Sequence, residues 1–444
     1  MLLEKNQEID RIFTIARRHS LIDLEALETA VRIAALAAGA TVLEQFLALV
    51  GVGRQKTPLR CSCGTQMKSR GLRTKRILTL LGWINFKRSM YRCPTCGIIR
   101  YPGDEELDIV NTSRSPGVRR QTARLAAKQT FQEASIDLEQ LAGIIICRKA
   151  VERVAEQEGE RMETWMAAER RQWCSQDPPE PYLVRPVETL YIELDGTGIP
   201  MVKREVQDRK GKQPDGTAKT REAKVGCVFT QSKLDEEGKP VRDPASTTFV
   251  GAIETANQFG KRLFAEAVRR GLYQAKRVVV LGDGAEWVKN TAQTHFGYAQ
   301  FIIDYYHASE HIGELCCALF DRNQKYVETY RERWTDYLWE GNIEAIMEQA
   351  TQWLPHNPKT KKDARTQVNY FEKNKDYMRY RDYREQKLFI GSGVVEAACK
   401  HLVGCRFKQS GMEWTVNGAN AMLALRCVVL SNRMQEYWEQ RAVA

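Results

Sequence analysis

The sequence lacks an uninterrupted run of 18 apolar residues, although 43% of its 444 residues are apolar. A transmembrane helix needs about 20 consecutive, mostly apolar residues, so the sequence predicts no membrane span. The first residues, MLLEKNQEIDRIF, also lack the basic-then-apolar order of a signal peptide. Both absences predict a cytoplasmic protein, in which the twelve cysteines are expected to be thiols or metal ligands rather than disulfides.

Acidic residues are absent from residues 54–100, a segment that contains twelve Lys or Arg. The net charge of the chain is +11, so this segment alone accounts for the excess. Concentrated positive charge indicates a polyanion partner, and we predict DNA, with a solvated basic face as the alternative. The basic residues expected to contact DNA here and in the acid-free stretch that follows Arg114 are Arg70, Arg73, Lys75, Arg76, Lys87, Arg88, Arg119 and Arg120.

Two cysteine pairs lie in the basic segment. RCSCG supplies Cys61 and Cys63, and RCPTCG supplies Cys93 and Cys96. Two close pairs on glycine-bearing turns, separated by short strand-like pieces, are typical of a zinc ribbon, because four thiolates satisfy tetrahedral Zn²⁺. The C-x-C spacing of the first pair is less typical than C-x-x-C, and four buried thiols are the alternative. Residues 54–103 therefore form a predicted zinc-ribbon-like module.

Helical patterns flank this module. Residues 1–53 predict two helices, and residues 104–180 predict three amphipathic helices, the last starting near Arg148. The three helices are compatible with a helix-turn-helix that binds DNA, or with an ordinary helical linker. The proline-rich stretch 174–186 predicts a domain boundary.

Beyond that boundary the pattern changes to alternating strands and helices. The order is three strands, a helix, a strand, a helix and a strand, within residues 186–310. Antiparallel strands followed by parallel strands with crossover helices predict an α/β, ribonuclease-H-like catalytic core. Residues 311–388 lack strand signals and predict a large all-α insertion, and residues 389–444 predict a C-terminal helical region.

Two strands of this core end in an aspartate followed by glycine. YIELDGTG places Asp195 at the end of the first strand, and VVVLGDG places Asp283 at the end of the fourth. Glu396 follows later, at a glycine-flanked helix start. Carboxylates suit Mg²⁺ or Mn²⁺, and two such ions catalyse phosphodiester transfer. The alternatives are turn residues for both aspartates, and a surface partner of Lys400 for Glu396.

Other residues lie near the expected site. Asp304 and His307, in IIDYYHASEHI, are a rival metal pair or a support for the carboxylates. Arg406 and Lys408, with Trp414 after them, are expected to grip phosphate or stack on a base, although a packed tryptophan is equally compatible.

Five phrases together resemble bacterial insertion-sequence transposases of the ISKra-four type, which are relatives of the Mutator-like enzymes. They are ELDGTGIPM, LGDGAEWV, IDYYHASEHI, GSGVVEAACK and FKQSGMEWTVNGANAMLALRC, within residues 54–440. The resemblance implies a transposase that cuts the ends of its element and joins the 3′-hydroxyl to target DNA. It also implies Asp195, Asp283 and Glu396 as the catalytic triad, Asp304 and His307 as support, and an N-terminal zinc ribbon.

Other functions remain open from the sequence. A metal-dependent nuclease or resolvase of the same fold would cut without joining, and a non-catalytic regulator would only bind DNA. A thiol or zinc enzyme is disfavoured, because the cysteine pairs lie among arginines without a nearby Glu or His base. Two element ends must be handled together, so the transposase interpretation predicts at least a homodimer on double-stranded DNA.

Overall fold

The computed structural model describes residues 24–181, 186–211, 213–214, 216–320, 323–354 and 358–443. For residues 358–361 and 442–443 it describes the backbone alone. The helix expected within residues 1–23 lies outside the described residues. By their contacts the residues form two compact units, Met1–Ala155 and Glu156–Ala444.

The first unit contains a long N-terminal helix, a three-stranded antiparallel sheet in the order β1-β2-β3, and shorter helices. The elements are α1 (Leu24–Val50), β1 (Lys68–Thr79), β2 (Gly82–Arg92), β3 (Ile99–Arg100), α2 (Pro102–Glu106), α3 (Pro116–Lys128), α4 (Phe131–Ala142) and α5 (Arg148–Trp173), which ends in the second unit. The helix expected near the end of residues 1–53 and the three expected within 104–180 are confirmed, the last beginning at Arg148.

Helix α1 is long and apolar enough to cross a membrane, by length and composition alone. The sequence predicted no span because Glu25, Glu28, Arg32 and Glu44 interrupt its apolar runs. These charges are too widely spaced to make the whole helix polar. In the structure one face of α1 packs on the core of the small sheet through Leu43 and its neighbours.

Local signals explain where the helices of the first unit begin and end. Ser115 caps α3, with Pro116 at the first helical position. Thr130 and Glu133 form a reciprocal capping box at the start of α4, and Gly143 ends that helix in the left-handed conformation with φ 67°.

The second unit is built on a five-stranded mixed sheet. Its elements up to the last strand are β4 (Thr189–Pro200), β5 (Thr220–Gln231), the small hairpin β6 (Lys233–Leu234) and β7 (Pro240–Val241), β8 (Thr248–Ala252), α6 (Ala256–Arg269), β9 (Arg277–Gly282), α7 (Glu286–Phe296) and β10 (Gln300–Ile303). The five expected strands and two expected helices are confirmed; the β6–β7 hairpin was not anticipated.

The strand order in this sheet is β10-β9-β4-β5-β8. Strand β5 pairs antiparallel with both β4 and β8, whereas β4, β9 and β10 pair in parallel. The parallel strands are connected through α6 and α7, as crossover connections require. The chain is thus a mixed α/β protein, in which β9 ends beside the middle of β4 and β4 continues to Pro200.

The two faces of β4 differ because side chains alternate along a strand. Leu190, Ile192 and Leu194 point to one face and belong to the main hydrophobic core beneath α6 and α7. The residues between them, including Glu193 and Asp195, point to the other face. One face of the strand therefore builds the core, while the other presents polar groups.

Helices follow the sheet without further strands in the described part of the chain. They are α8 (Tyr305–Leu319), α9 (Gln324–Trp339), α10 (Ile343–Gln352), α11 (Pro358–Asn374), α12 (Tyr380–Glu385), α13 (Gly393–Ala398), α14 (Cys405–Phe407), α15 (Val416–Leu430) and α16 (Met434–Val443). Residues Cys399–Gly404 form a π-helix between α13 and α14. The buried Arg426 donates hydrogen bonds to the carbonyls of His401 and Leu402 in this segment.

We expect the buried Arg262 to stabilise the second unit. Its guanidinium bonds Glu163 at 2.8 and 3.0 Å and Glu254 at 2.8 and 3.0 Å. Arg262→Met should lower the free energy of unfolding by about 2–3 kcal/mol, because it leaves the partly buried Glu254 without its partner and leaves Glu163 paired with Arg170 alone. Urea denaturation measures the change. The control, Arg381→Met, removes an exposed pair with Glu385 and should have little effect; equal losses would contradict the prediction.

Candidate functional site

Asp283 follows the last residue of β9, as the sequence predicted, but Asp195 lies within β4, which continues to Pro200 rather than ending at the aspartate as expected. The two aspartates nevertheless lie at the same level of the sheet. Glu193 on β4 pairs with Leu281 on β9, and each aspartate follows its paired residue by two positions. Backbone N–H groups orient both carboxylates: Gly196 donates to Asp195 Oδ1 at 2.6 Å, and Ala285 donates to Asp283 Oδ1 at 2.9 Å. Both side chains are only partly buried, so they remain open to a ligand.

Gly196 and Gly198 fit the neighbouring strand. A Cβ on Gly196 would lie 2.5 Å from Glu222 Oε1, and one on Gly198 would lie 2.8 Å from Thr220 Oγ1. A side chain at either position would therefore crowd a side chain of β5, so the packing of β4 against β5 accounts for glycine here.

Glu396 lies in the first turn of α13 and is exposed. Ser392 Oγ donates a hydrogen bond of 3.4 Å to its Oε1. Burial raises the pKa of Glu396, and the charge of Asp304 and of Asp195 raises it further. Burial likewise raises the pKa of Asp195, with a smaller contribution from Asp283. Carboxylates that repel one another in this way favour a bound cation.

The three carboxylates do not form a compact single-ion cluster. Among the described residues, one group brings three or more Cys, His, Asp or Glu ligand atoms within 4.8 Å of one another. That group consists of Cys61, Cys63, Cys93 and Cys96, and it contains no carboxylate. A pair of ions about 4 Å apart spans a wider set of ligands than one ion does. The oxygen-only donor set suits Mg²⁺ or Mn²⁺.

Glu193 is a site residue that the sequence analysis missed. It is fully buried two residues before Asp195, on the same face of β4. Its Oε2 accepts a 2.8 Å hydrogen bond from the backbone N–H of Val395, next to Glu396. Burial raises its pKa to about 8, and the charges of Asp304 and Glu396 add to the shift. Two acids at i and i+2 in an apolar strand were the available signal.

Cys399 was also missed. Its thiol donates to Asp195 Oδ2 at 3.3 Å, and burial, together with the charge of Asp195, raises its pKa. The contact joins the first residue of the π-helix to Asp195 in the middle of β4. No sequence signal distinguishes this cysteine from an ordinary apolar helix residue.

Asp304 connects two helices. It caps α8 by accepting from the N–H of His307 at 2.6 Å, and its Oδ2 accepts from the N–H of Ser392, just before α13. With both oxygens engaged and 1% of its surface exposed, Asp304 holds the first turn of α13 against the sheet edge. It is placed to position Glu396 rather than to bind a metal by itself.

His307 and His311 differ in their environments. The His311 ring stacks on Tyr370 at 3.8 Å, and its Nδ1 lies 2.8 Å from Gln367 Oε1, so it is held by packing. The side chain of His307 is 43% exposed, with its Nδ1 3.7 Å from Glu310. His307 is therefore the histidine that remains available near the carboxylates.

Arg406 and Lys408 differ in their exposure to solvent. Arg406 is fully buried, with its guanidinium 5.1 Å from the centre of the Trp414 ring, so it does not face DNA in this structure. Trp414 is a packed residue that donates from its indole to the Phe407 carbonyl. Lys408 is exposed, and its Nζ lies 2.6 Å from Thr197 Oγ1 on the strand that carries Asp195. Lys408 alone of this group is available to phosphate near the carboxylates.

The four cysteines of the first unit converge. Their Sγ atoms all lie within 4.8 Å of one another, with Cys61 and Cys96 3.4 Å apart and Cys63 and Cys93 3.5 Å apart. A tetrahedral Zn²⁺ with bonds of about 2.3 Å requires sulfurs about 3.8 Å apart. Hydrogen bonds from the Thr65 hydroxyl and backbone lower the pKa of Cys63 to about 6, whereas hydrogen bonds with the neighbouring cysteines raise the pKa of Cys96 to about 12. The four thiols thus share their protons, and a cation among them would favour the thiolates. The group could hold one zinc ion.

The basic residues of the first unit divide into two sets. Lys75 and Arg88 both pair with Asp104, and Arg119, which is 2% exposed, pairs with Asp108. These three therefore stabilise the fold, contrary to the expectation that they face DNA. The exposed members of the predicted set on the β1–β2 hairpin are Arg70, Arg73, Arg76 and Lys87, and Arg120 is partly exposed.

Comparisons with known proteins give a partial family match and no activity. Residues 265–441, less than half of the chain, match the uncharacterised protein family UPF0236. That segment contains Asp283, Asp304 and Glu396 but not Asp195. A curated relative from Streptococcus gallolyticus, described as a UPF0236 protein in vanSb 3′ region, is 24% identical over 378 residues, covering 83% of this chain and 75% of its own.

A solved structure, the Drosophila P element transposase strand transfer complex, aligns with 73% of this chain and 80% of its own at 6% identity. The TM-score is 0.23, which does not establish a shared fold.

We predict that the purified chain binds one zinc ion through the cysteine group. Cys93→Ser should remove the zinc and unfold the small sheet around it, because so small a module gains folding energy from its metal. Elemental analysis and hydrogen exchange measure the two effects. Cys147→Ser, which changes an exposed cysteine outside the group, should keep both; wild-type protein without zinc would refute the assignment.

Proposed function

We propose that this protein is a DNA transposase that cleaves the ends of an insertion sequence and joins the 3′-hydroxyl to target DNA. The observation that carries the proposal is the convergence at one sheet edge of Asp195, Asp283 and the helix bearing Glu396. Glu193 and Asp304, through backbone N–H groups, fix the first turn of that helix near the two strand ends.

The sheet supports a ribonuclease-H-like fold for the second unit. Strand order β10-β9-β4-β5-β8, with β5 antiparallel to its neighbours, is the arrangement expected for three antiparallel strands followed by two parallel ones. The acidic side chains then meet where β9 ends beside the middle of β4. On this proposal residues 311–388 are an insertion within the catalytic domain.

The chemistry follows from the donor set. Two divalent cations, when bound, would activate the attacking oxygen and stabilise the leaving oxygen. Asp195, Asp283 and Glu396 would hold them. In the first step a water oxygen attacks phosphorus at the element end and the bond to the 3′-oxygen breaks. In the second, the released 3′-hydroxyl attacks a target phosphodiester in line, and the bond from that phosphorus to the 3′-oxygen of the target strand breaks. Lys408, beside Thr197, is placed to neutralise phosphate, and His307 to support the site.

The partners follow from the charges. Exposed Arg70, Arg73, Arg76 and Lys87 lie on one strand pair and supply a basic surface for duplex DNA. The proposal includes a location in the cytoplasm at the nucleoid and action as a homodimer or larger assembly, because two ends must be cut together. The zinc-ribbon-like module would present the basic hairpin.

We expect Asp195→Asn, Asp283→Asn and Glu396→Gln each to lower cleavage and strand transfer by at least about 1,000-fold, because each removes a carboxylate that holds the cations. The assay uses the DNA flanking this gene, with Mg²⁺ or Mn²⁺. Glu286→Gln, an exposed change three residues after Asp283, is the matched control.

Three other outcomes would reject the transposase. Cutting without joining by the wild type indicates a nuclease. Binding without cutting by the wild type indicates a regulator. Activity equal to wild type in all three carboxylate variants would show that the catalytic site lies elsewhere.

DNA affinity should depend on the exposed basic hairpin. Replacing Arg70, Arg73, Arg76 and Lys87 with Ala is expected to weaken binding and to reduce the slope of log K against log salt by up to about 3.6, because four phosphate contacts are lost. Fluorescence anisotropy at several salt concentrations measures this slope.

The control changes Lys239, Lys276 and Arg381 to Ala. These are exposed cations of the second unit that are already paired with neighbouring carboxylates. An unchanged slope in the hairpin variant, or an equal reduction in the control, would show that this hairpin is not the DNA-binding surface.

A further inference from the structure

Helix α1 is apolar on two opposite faces. Leu43 and Leu47 on one face pack against the sheet core, and Glu44 accepts a 2.6 Å hydrogen bond from the N–H of Asn85. On the other face Leu24, Val31 and Leu49 are 66%, 65% and 81% exposed. A helix that only covers a sheet is polar on its outer face. The outer face of α1 therefore has the composition of a contact surface.

The outer residues follow a heptad pattern. They are spaced by alternating steps of four and three residues along more than three heptads, and we name them the α1 seam: Leu24, Glu28, Val31, Ala35, Ala38, Val42, Gln45 and Leu49. All are exposed except Ala38, which is half-buried. This period is the signature of a coiled coil, in which each seam residue packs between residues of a facing helix.

The seam has the same order of residue types in both directions. The first residue corresponds to the last, the second to the second last, and so on. The pairs are Leu24 with Leu49, Glu28 with Gln45, Val31 with Val42, and Ala35 with Ala38. A two-fold contact between identical chains brings each residue opposite its counterpart across the axis, so the surface must be self-complementary. In an antiparallel pair centred between Ala35 and Ala38, like-sized side chains would face each other in every layer, and the central alanines would allow close approach.

The charges distinguish the two possible orientations. In a parallel pair Glu28 would face Glu28 of the second chain inside the seam, and like charges there are destabilising. In the antiparallel pair Glu28 faces Gln45, whose amide can donate to the carboxylate. The same Glu28, together with the contact of the opposite face with the sheet, disfavours a lipid bilayer as the occupant of the seam.

We propose that the α1 seam is a homodimer interface in which two copies of this chain pair their α1 helices antiparallel. The inference goes beyond the proposed DNA chemistry and does not depend on it, because it concerns the mass of the protein in the absence of DNA.

The test measures the mass of the full-length chain by light scattering over a concentration series. Wild type is expected at the mass of two chains. Val31→Lys or Val42→Glu alone should raise the dissociation constant by about 100-fold or more, because each buries an unpaired charge. The double variant Val31→Lys/Val42→Glu should recover the dimer, because the introduced lysine of one chain would face the introduced glutamate of the other only in the antiparallel pair.

Ala37→Glu is the matched control, since Ala37 is exposed on the same helix but outside the seam. It should remain dimeric, and circular dichroism should show that every variant keeps its helical content. A monomeric wild type, or loss of the dimer in the control as well, would overturn the proposal. The proposal would also be overturned if the double variant dimerised no more tightly than either single variant. It would be overturned as well if the wild type bound phosphatidylglycerol vesicles as a monomer in a flotation experiment.

Discussion

The arrangement of the candidate site depends on how the first turn of α13 is held. The N–H groups at the start of a helix lack partners within it and carry partial positive charge, so carboxylates bind there. Asp304 takes the N–H of Ser392, and Glu193 takes that of Val395. One acid comes from the start of α8 and the other from β4. Glu396 is therefore fixed by two separate elements, although its own side chain is exposed.

Much of the second unit could be predicted because its strands contain apolar runs that are separated by polar segments or by helical patterns. Asp195 and Asp283 were identifiable because each follows such a run, and parallel strands bring their ends to one edge. Glu193 was not identified, because a single acid inside a strand looks like an outward-facing residue. Only the three-dimensional structure shows that this face of β4 is covered by α13, which begins about 200 residues later in the chain.

The basic surface was predicted less accurately, because nearby aspartates pair with some of the basic residues. The acid-free segment ends at Arg100, and Asp104 and Asp108 follow directly. In the folded chain Asp104 pairs with Lys75 and Arg88, and Asp108 pairs with Arg119. Charge counted along the sequence cannot detect such pairing. The prediction holds for Arg70 and Arg73, because this part of β1 is exposed on both faces.

The π-helix after α13 has a consequence for how this site could change through evolution. Each π-type hydrogen bond encloses one residue more than an α-type bond, so such a segment corresponds to a helix that has gained a residue. Here Arg426, from α15, supports the carbonyls of His401 and Leu402 from outside the segment. An inserted residue is thus accommodated without breaking the helix. Lineages could then rotate Lys408 relative to Glu396 by adding or deleting one position, while the strands below stay unchanged.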